Sequence, residues 1–430
     1  MFNFKTYFKF INSDNNKNCY FDELSLITEG GLAGRMNHLF DDRELTFGEL
    51  KQVIHDVFSG NVEITAKTDG QNLSVTYKDG KVGLARNKET FINPMSVAET
   101  AAKFDGRGEI QKAFVNSLKS VEAALNKVNK KKLEEWFKNG KRFMSMEIIY
   151  PPTKNVIDYG GRCMLMIHNL STFDENGNKI DEDPSVADEI FKTLQKAGAT
   201  NQGEFEITGP QVLSIKNTIA AEKELQNANT QIDEFVKKNN LKLSDTIQDY
   251  IDSAFKKIFN EKFDGVLPKD IEEILINRFA RGNKTINKRE LVKLVGKYPE
   301  IDKDKFIKEF NELDKNAGIF YTEIMFPLEI IIFKSGAIFL KCLTGFVSAN
   351  PNETVRKLKK EVEETIAAFE KDPNTPERLI KQIEKLYAIG MENIVPEEGI
   401  VFKHHGKVFK ITGAFAPINQ ILGWLKYKKG

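Results

Sequence analysis

The chain has 430 residues, 40% of them apolar and 29% charged, so it is long enough for more than one packed core and too apolar for wholesale disorder. Lys and Arg total 63 against 62 Asp and Glu, which excludes a polycation and leaves any nucleic-acid contact to local patches. The cysteines, Cys19, Cys163 and Cys342, form no CxxC pair, which argues against a disulfide scaffold or a thiolate zinc site and fits a reducing compartment.

The first residues carry scattered lysines and no continuous apolar run, a poor signal peptide. Residues 1–60 read as an N-terminal segment of short helices and loops. A Gly-rich polar stretch at 30–42, with Asn37 and His38 as candidates to face a site, precedes a helix near 46–58. Short β-favouring runs at 62–67, 73–77 and 81–86 are divided by Asp-Gly turns at Asp69-Gly70 and Asp79-Gly80, a hairpin signal. A helical stretch is expected over 110–138, and strands over 143–150 and 163–170. From 185 to about 316, apolar residues recur at spacings of three and four, which predicts a helical block. Strands are expected again near 318–343. The most apolar run, 324–340, contains Pro327, Glu329, Lys334 and Gly336, which a bilayer penalises, and reads as two buried strands around a Lys-Ser-Gly turn. Two charged helices at 352–370 and 375–389, strands at 399–404 and 407–412 and a short basic tail complete the expectation. The fold class is α+β, with mixed and antiparallel sheets built from 61–184 and 318–430 and a helical insertion at 185–317. No membrane span is expected.

Three motifs carry chemistry. Lys67-Thr68-Asp69-Gly70 lies where a strand meets a turn, a place that exposes an amine at a sheet edge; a lysine is a covalent nucleophile when its amine is free. Glu397-Glu398-Gly399-Ile400-Val401-Phe402-Lys403, followed by Val408-Phe409-Lys410, puts a carboxylate at a strand entrance and lysines on two adjacent strands. That set suits a hard cation bound together with a polyphosphate. Glu147 interrupts the apolar run 143–151, and a buried carboxylate needs a partner such as a ribose hydroxyl or a counter-ion.

In this order the motifs resemble those of the covalent nucleotidyltransferase superfamily, the polynucleotide ligases and mRNA capping enzymes. The chain offers Lys67-Thr-Asp-Gly, Ala85-Arg86, Glu147, His168-Asn169-Leu170, Glu398-Gly-Ile-Val-Phe-Lys403 and Lys410. The resemblance covers about 60–175 and 395–415 and makes 61–184 with 318–430 a ligase-type adenylation domain. It implies ATP and Mg²⁺ (or Mn²⁺) as cofactors, with Lys67 attacking the α-phosphate to form a lysyl-AMP. It further implies Glu147 on the ribose, Glu398 at the metal and His168 stacked on adenine. Lys403 and Lys410 would bind the α-phosphate and keep the Lys67 amine unprotonated, Arg86 would touch the ribose or an incoming 5′-phosphate, and Asp69 and Asn72 would complete the ATP site.

The chain departs from the family pattern in several places, and its gap between Lys67 and Glu398 is much longer than in minimal ligases. The last motif reads Lys410-Ile411-Thr412 rather than Lys-x-Lys, and about eighteen residues follow it, too few for the C-terminal OB-fold of DNA ligases and capping enzymes. Asn72 favours an RNA ligase, of phage type, over a DNA ligase that seals nicks in DNA or hybrids. A non-catalytic nucleic-acid-binding module on the same fold is the other alternative. The expected partner is nucleic acid, held by Arg278, Arg281, Lys284, Lys288 and Arg289 in the insertion or by Lys426, Lys428 and Lys429 in the tail. A cytoplasmic monomer, in a bacterial or phage-infected cell, is expected.

Overall fold

The computed structural model describes residues 36–153, 156–183, 185–283, 287–346, 350–370, 372 and 375–427, the side chains of 185 and 425–427 apart. Cys19, Lys284, Lys428, Lys429 and the side chain of Lys426 lie outside the described residues.

After β1 (Asn37–His38), α1 (Phe47–Phe58) opens on a capping box between Thr46 and Glu49 and buries Phe47, Leu50, Val53, Ile54, Val57 and Phe58 along one stripe. Then come β2 (Ile64–Lys67), β3 (Gln71–Lys78) and β4 (Lys81–Ala85). Asp79 and Gly80 both have positive φ, the conformation a two-residue hairpin turn demands, and His405-Gly406 repeats it near the other end of the chain. Next are α2 (Lys88–Ile92), α3 (Val97–Lys103), α4 (Glu109–Leu125) and α5 (Lys130–Phe137). The single helical stretch expected over 110–138 is thus two helices, the second capped by Asn129. β5 (Arg142–Ile149), β6 (Met164–Phe173), β7 (Lys179–Asp183), α6 (Ser185–Lys196), β8 (Asn201–Gln202), β9 (Phe205–Thr208) and β10 (Ser214–Ile215) follow. The mainly helical part comprises α7 (Thr218–Lys238), α8 (Ile247–Lys262), α9 (Lys269–Phe279), α10 (Lys288–Val295) and α11 (Lys303–Leu340). It continues through β11 (Leu343–Thr344), α12 (Pro351–Phe369) and α13 (Glu377–Ile389) to β12 (Gly399–His404), β13 (Lys407–Ile411) and α14 (Phe415–Tyr427).

The chain is α+β, with two main sheets among the described residues. The smaller has the order β1-β13-β12-β2, with β12 antiparallel to both neighbours and β1 parallel to β13. The larger runs β4-β3-β5-β6-β9-β8, with β7 also on β6, and is antiparallel except at β6/β9. Each sheet has its own core. Ile64, Ala66, Ile400, Phe402, Phe409 and Ile411 from one face of the smaller sheet are buried with α1, α7, α8, α11 and α14. Leu73, Val75, Met144, Met146, Ile148, Leu165 and Ile167 of the larger sheet are buried with α4, α5 and α6.

Residues 324–340 are not two strands around a turn but the second half of α11, a helix of 38 residues. Ile324, Leu328, Ile331, Ile332, Ser335 and Phe339 make a buried stripe of helical period, which the almost unbroken apolar run conceals in the sequence. Pro327 supplies no N–H and crowds the turn before it. In that turn the Tyr250 hydroxyl donates to the Ile324 carbonyl at 2.6 Å. At Gly336 a Cβ would lie 2.3 Å from Ile411 Cγ2, so the glycine lets α11 rest on β13. The helical block therefore does not match 185–317. Short strands separate α6 from α7, and helices run on to Ile389. No strand occupies 318–340, and most of the short basic tail, Phe415–Tyr427, is a helix. Among the described residues, no helix is long and apolar enough to cross a membrane.

Candidate active site

Lys67, the last residue of β2, pairs in register with Gly399, the first of β12. Its ammonium is ion-paired with Glu398, and both side chains are largely buried. Two residues along β12, Val401 is flanked by Thr65 on one side and Lys410 on the other. Directly opposed residues share a face of a sheet, so Lys67 and Lys410 stand on the same face, and His38, opposite Lys410 on β1, joins them. Lys410 is buried. Lys403 shares the face but lies four residues beyond Gly399, about 13 Å along the strand. It is exposed, and it lines a cavity of about 400 Å³ with Asn37, Lys179, Asp181, Glu182 and Lys407. A Cβ on Gly399 would stand 2.2 Å from the Ile411 carbonyl oxygen and 2.8 Å from Thr412 Cα. Any side chain there would push β13, and Lys410 with it, away from Lys67.

Thr68-Asp69-Gly70 is not the hairpin turn expected there: neither Asp69 nor Gly70 has a positive φ, β2 does not pair with β3, and the segment carries the chain from one sheet to the other. Asp69 Oδ2 accepts from the N–H groups of Val156 and Ile157, the latter at 2.9 Å, and the Asp69 N–H donates to the Tyr159 hydroxyl at 2.7 Å. Burial pushes the Asp69 carboxyl up; the two amides and Lys67 oppose it without reversing the direction. The Tyr159 hydroxyl is held well above its ordinary range, first by burial and then by the charge of Asp69. Asp69 thus pins the loop at 156–159 against the turn. A Cβ on Gly70 would lie 2.6 Å from both Glu147 Cγ and the Ile148 carbonyl oxygen. Only glycine lets the turn after Lys67 close over Glu147.

Glu147 sits on β5 between Asn72 of β3 and Met166 of β6. Next to it the β5/β6 register slips: Ser145 opposes Asn169 and Met146 opposes Ile167, leaving His168 as the bulged residue. Bulges re-aim side chains, and here His168 Nε2 comes 3.5 Å from Glu147 Oε2. Arg86 follows β4 directly, and its N–H donates to the Thr90 hydroxyl within the box that starts α2. Burial lowers the pKa of its guanidinium, the charge of Glu147 raises it and Arg107 lowers it, for a net decrease. Lys67, Asp69, Asn72, Arg86, Glu147, His168, Glu398 and Lys410 thus meet where the two sheets join.

The donor set sets limits on a metal. Among the described residues, no group of three or more His, Cys, Asp or Glu is arranged to hold an ion. Mg²⁺ commonly takes one or two carboxylates and completes its shell with water and phosphate oxygens. Glu398, with Glu397 buried beside it, fits an ion that arrives with a nucleotide.

The basic patch of the helical region is largely engaged within the protein. Arg278 is bonded to Asp314 at 2.8 Å and lies 5.2 Å from the Phe310 ring centre, which fastens α9 to α11. Arg281 is bonded to Asp252 at 2.6 Å and to Glu273 at 3.3 Å. The exposed Lys288 donates to Asn311, and Arg289 is exposed. None of these residues is among those that meet around Lys67. Sequence reading missed Tyr159, whose role comes only from packing against the Asp69 turn, and Arg107, which no motif marks. Comparison with family models, with curated proteins and with solved structures gives no match to the chain.

Proposed function

We propose that the protein is an ATP-dependent polynucleotide ligase of the RNA-ligase kind, which joins 5′-phosphate and 3′-hydroxyl ends through a lysyl-AMP. The observation that carries this reading is that Lys67 and Lys410 share one sheet face, with Glu398 ion-paired to Lys67 and with Glu147 and Arg86 close by at the adjoining sheet. Motifs more than 300 residues apart in the chain supply complementary chemistry at one place: an amine at a strand end, cations for phosphate oxygens and a carboxylate for a sugar hydroxyl.

ATP enters as a substrate. The Lys67 nitrogen attacks the α-phosphorus, an N–P bond forms, and the bond to the bridging oxygen breaks, so that pyrophosphate leaves with the electron pair. The ion pair with Glu398 engages the ammonium form of Lys67. That pair has to open, and a proton has to pass to solvent, before the nitrogen has a lone pair to give. A divalent cation bound with the nucleotide would neutralise phosphate charge and offer Glu398 a second partner. The 5′-phosphate of a strand then displaces Lys67 from the adenylyl phosphorus, and a 3′-hydroxyl displaces AMP from the activated end. Asn72, opposite Glu147, supports RNA over DNA because its amide can bond a sugar hydroxyl.

Incubation with α-labelled ATP and a divalent cation, followed by a denaturing gel, tests the reading. Wild-type protein should retain the label covalently. Lys67→Ala should not, nor should Lys67→Arg, whose guanidinium stays protonated. A labelled band in either folded variant, or no label on the wild type, overturns it.

A further inference from the structure

Two guanidinium groups share one aromatic platform next to Glu147. Phe104, which ends α3, stacks on Phe114 of α4 with ring centres 4.5 Å apart and planes 7° from parallel. Arg86 Cζ lies 4.5 Å from the Phe114 centre and 6.0 Å from that of Phe104, and Arg107 Cζ lies 5.6 Å from the Phe104 centre. Ring faces attract cations, but two cations on one platform repel each other, and the charge of Arg107 is felt at Arg86. Several arginines elsewhere in the protein have carboxylates, Arg278 with Asp314, Arg281 with Asp252 and Glu273, Arg162 with Glu206. Arg86 is half-buried, yet among the described residues its guanidinium has no hydrogen-bond acceptor and no salt bridge, and the same holds for Arg107. Glu147 is the carboxylate whose charge reaches Arg86, but its Oε2 faces His168 Nε2 at 3.5 Å.

The loop that carries Arg107 is built to present it. Gly106 and Gly108 flank it with φ of 74° and 55°, and a Cβ at either would meet nothing within 4 Å. The glycines are there for the backbone turn and not for close packing, and they leave Arg107 exposed beside the half-buried Arg86. Two guanidinium forks offer up to ten N–H donors, roughly what the three free oxygens of a terminal phosphate can engage; an internal phosphodiester has two free oxygens and a single charge.

We propose that Arg86 and Arg107 together form a phosphomonoester subsite, a clamp for a terminal phosphate dianion. The inference deepens the ligase reading and rests on it for the natural ligand, the 5′-phosphate of a strand. The terminal phosphate of ATP has the same chemistry, so the test needs an arm for each. Arg107 belongs to none of the motifs that point to the adenylation chemistry, which makes it the residue to vary.

In the first arm, fluorescence anisotropy compares binding of one oligoribonucleotide carrying a 5′-phosphate or a 5′-hydroxyl. The wild type should prefer the phosphate by about 10- to 100-fold. Arg107→Gln should bring the ratio close to one, and Arg107→Lys should keep only part of it, because an ammonium lacks the fork. In the second arm, the ATP concentration that half-saturates label transfer to Lys67 is measured in the same variants. A defect confined to the first arm assigns the clamp to the strand, and a defect confined to the second assigns it to the nucleotide. Either outcome supports the subsite, and unchanged values in both arms overturn it. The first arm needs no catalysis. If the wild type never takes up label while Arg107→Gln still abolishes the 5′-phosphate preference, the ligase reading fails and the subsite stands.

Discussion

The proposed chemistry gives Glu398 two tasks that cannot be performed together. It holds the ammonium of Lys67 in the structure, whereas the proposed chemistry needs that nitrogen free and the phosphate charge neutralised. Glu398→Ala should therefore keep the lysine at its strand end but slow label transfer by about a hundredfold, on the order of 3 kcal/mol of transition-state stabilisation. Label transfer at the wild-type rate would show that Glu398 is only a counter-ion. Gly70 gives a second prediction at this scale. Its missing Cβ is what lets the Lys67 turn meet Glu147, so Gly70→Ala should lower the unfolding free energy by about 1–3 kcal/mol in urea titration, because backbone stands in the way. A third concerns Asp56, beneath β12. Burial pushes its carboxyl up, but bonds from His404, His55, Asn61 and Gln52 outweigh this and bring it from an ordinary 3.8 to about 2. The folded value lies below the unfolded one, so the stabilisation is complete above pH 3.8 and is lost as pH falls through about 2. The stability gap between wild type and Asp56→Asn should close over that window; a gap constant from pH 6 to pH 2 would contradict it. Lys67, Glu147, Glu398 and Lys410 were legible in the sequence as a set because order along the chain restricts chance more than any single motif does. Tyr159 and Arg107 were not, since one acts through packing and the other through an aromatic platform assembled from separate helices.

At the scale of elements, turn chemistry was the most readable signal. The Asp79-Gly80 and His405-Gly406 hairpins and the strands beside them lie where the sequence puts them, because a positive φ at two central residues admits few side chains. Residues 324–340 were misread for a physical reason. A run that is apolar on nearly every residue has no visible period, and Pro327 with Gly336 suggests breaks that the tertiary structure tolerates. In the turn before Pro327 the Tyr250 hydroxyl, which burial pushes up to about 12, donates to the Ile324 carbonyl. Tyr250→Phe should cost about 0.5–1.5 kcal/mol in urea unfolding, since it removes a buried hydrogen bond to the Ile324 carbonyl. The basic patch divides along similar lines. Arg278 joins α9 to α11 through Asp314, so Arg278→Ala should register first as lower stability. Lys288 and Arg289 remain exposed. If a strand crosses α10, Lys288→Glu with Arg289→Glu should flatten the dependence of log Kd on log salt by about 0.7–0.9 for each phosphate that is no longer neutralised.

On the scale of the whole molecule, the α+β class was legible from composition and alternating texture, but the pairing of β2 with β12 was not. Periodicity says which face of a strand is buried and nothing about which distant strand it meets. That pairing sets the position of the Lys67–Glu398 ion pair, between residues separated by 331 positions. It has a consequence for how the protein is made. At roughly 5–20 residues per second, a ribosome adds Glu398 about 15–65 s after Lys67. During that interval β2 lacks its neighbour in the smaller sheet, while β3, β4, β5 and β6 can already pair with one another. The larger sheet and its core can thus form early, and helices α7 to α13 emerge before the strands that complete the smaller sheet. A nascent chain stopped short of β12 would carry Lys67 without Glu398, Lys403 or Lys410. In the proposed chemistry, truncated products of synthesis would therefore lack the groups that are to accept adenylate beside Lys67.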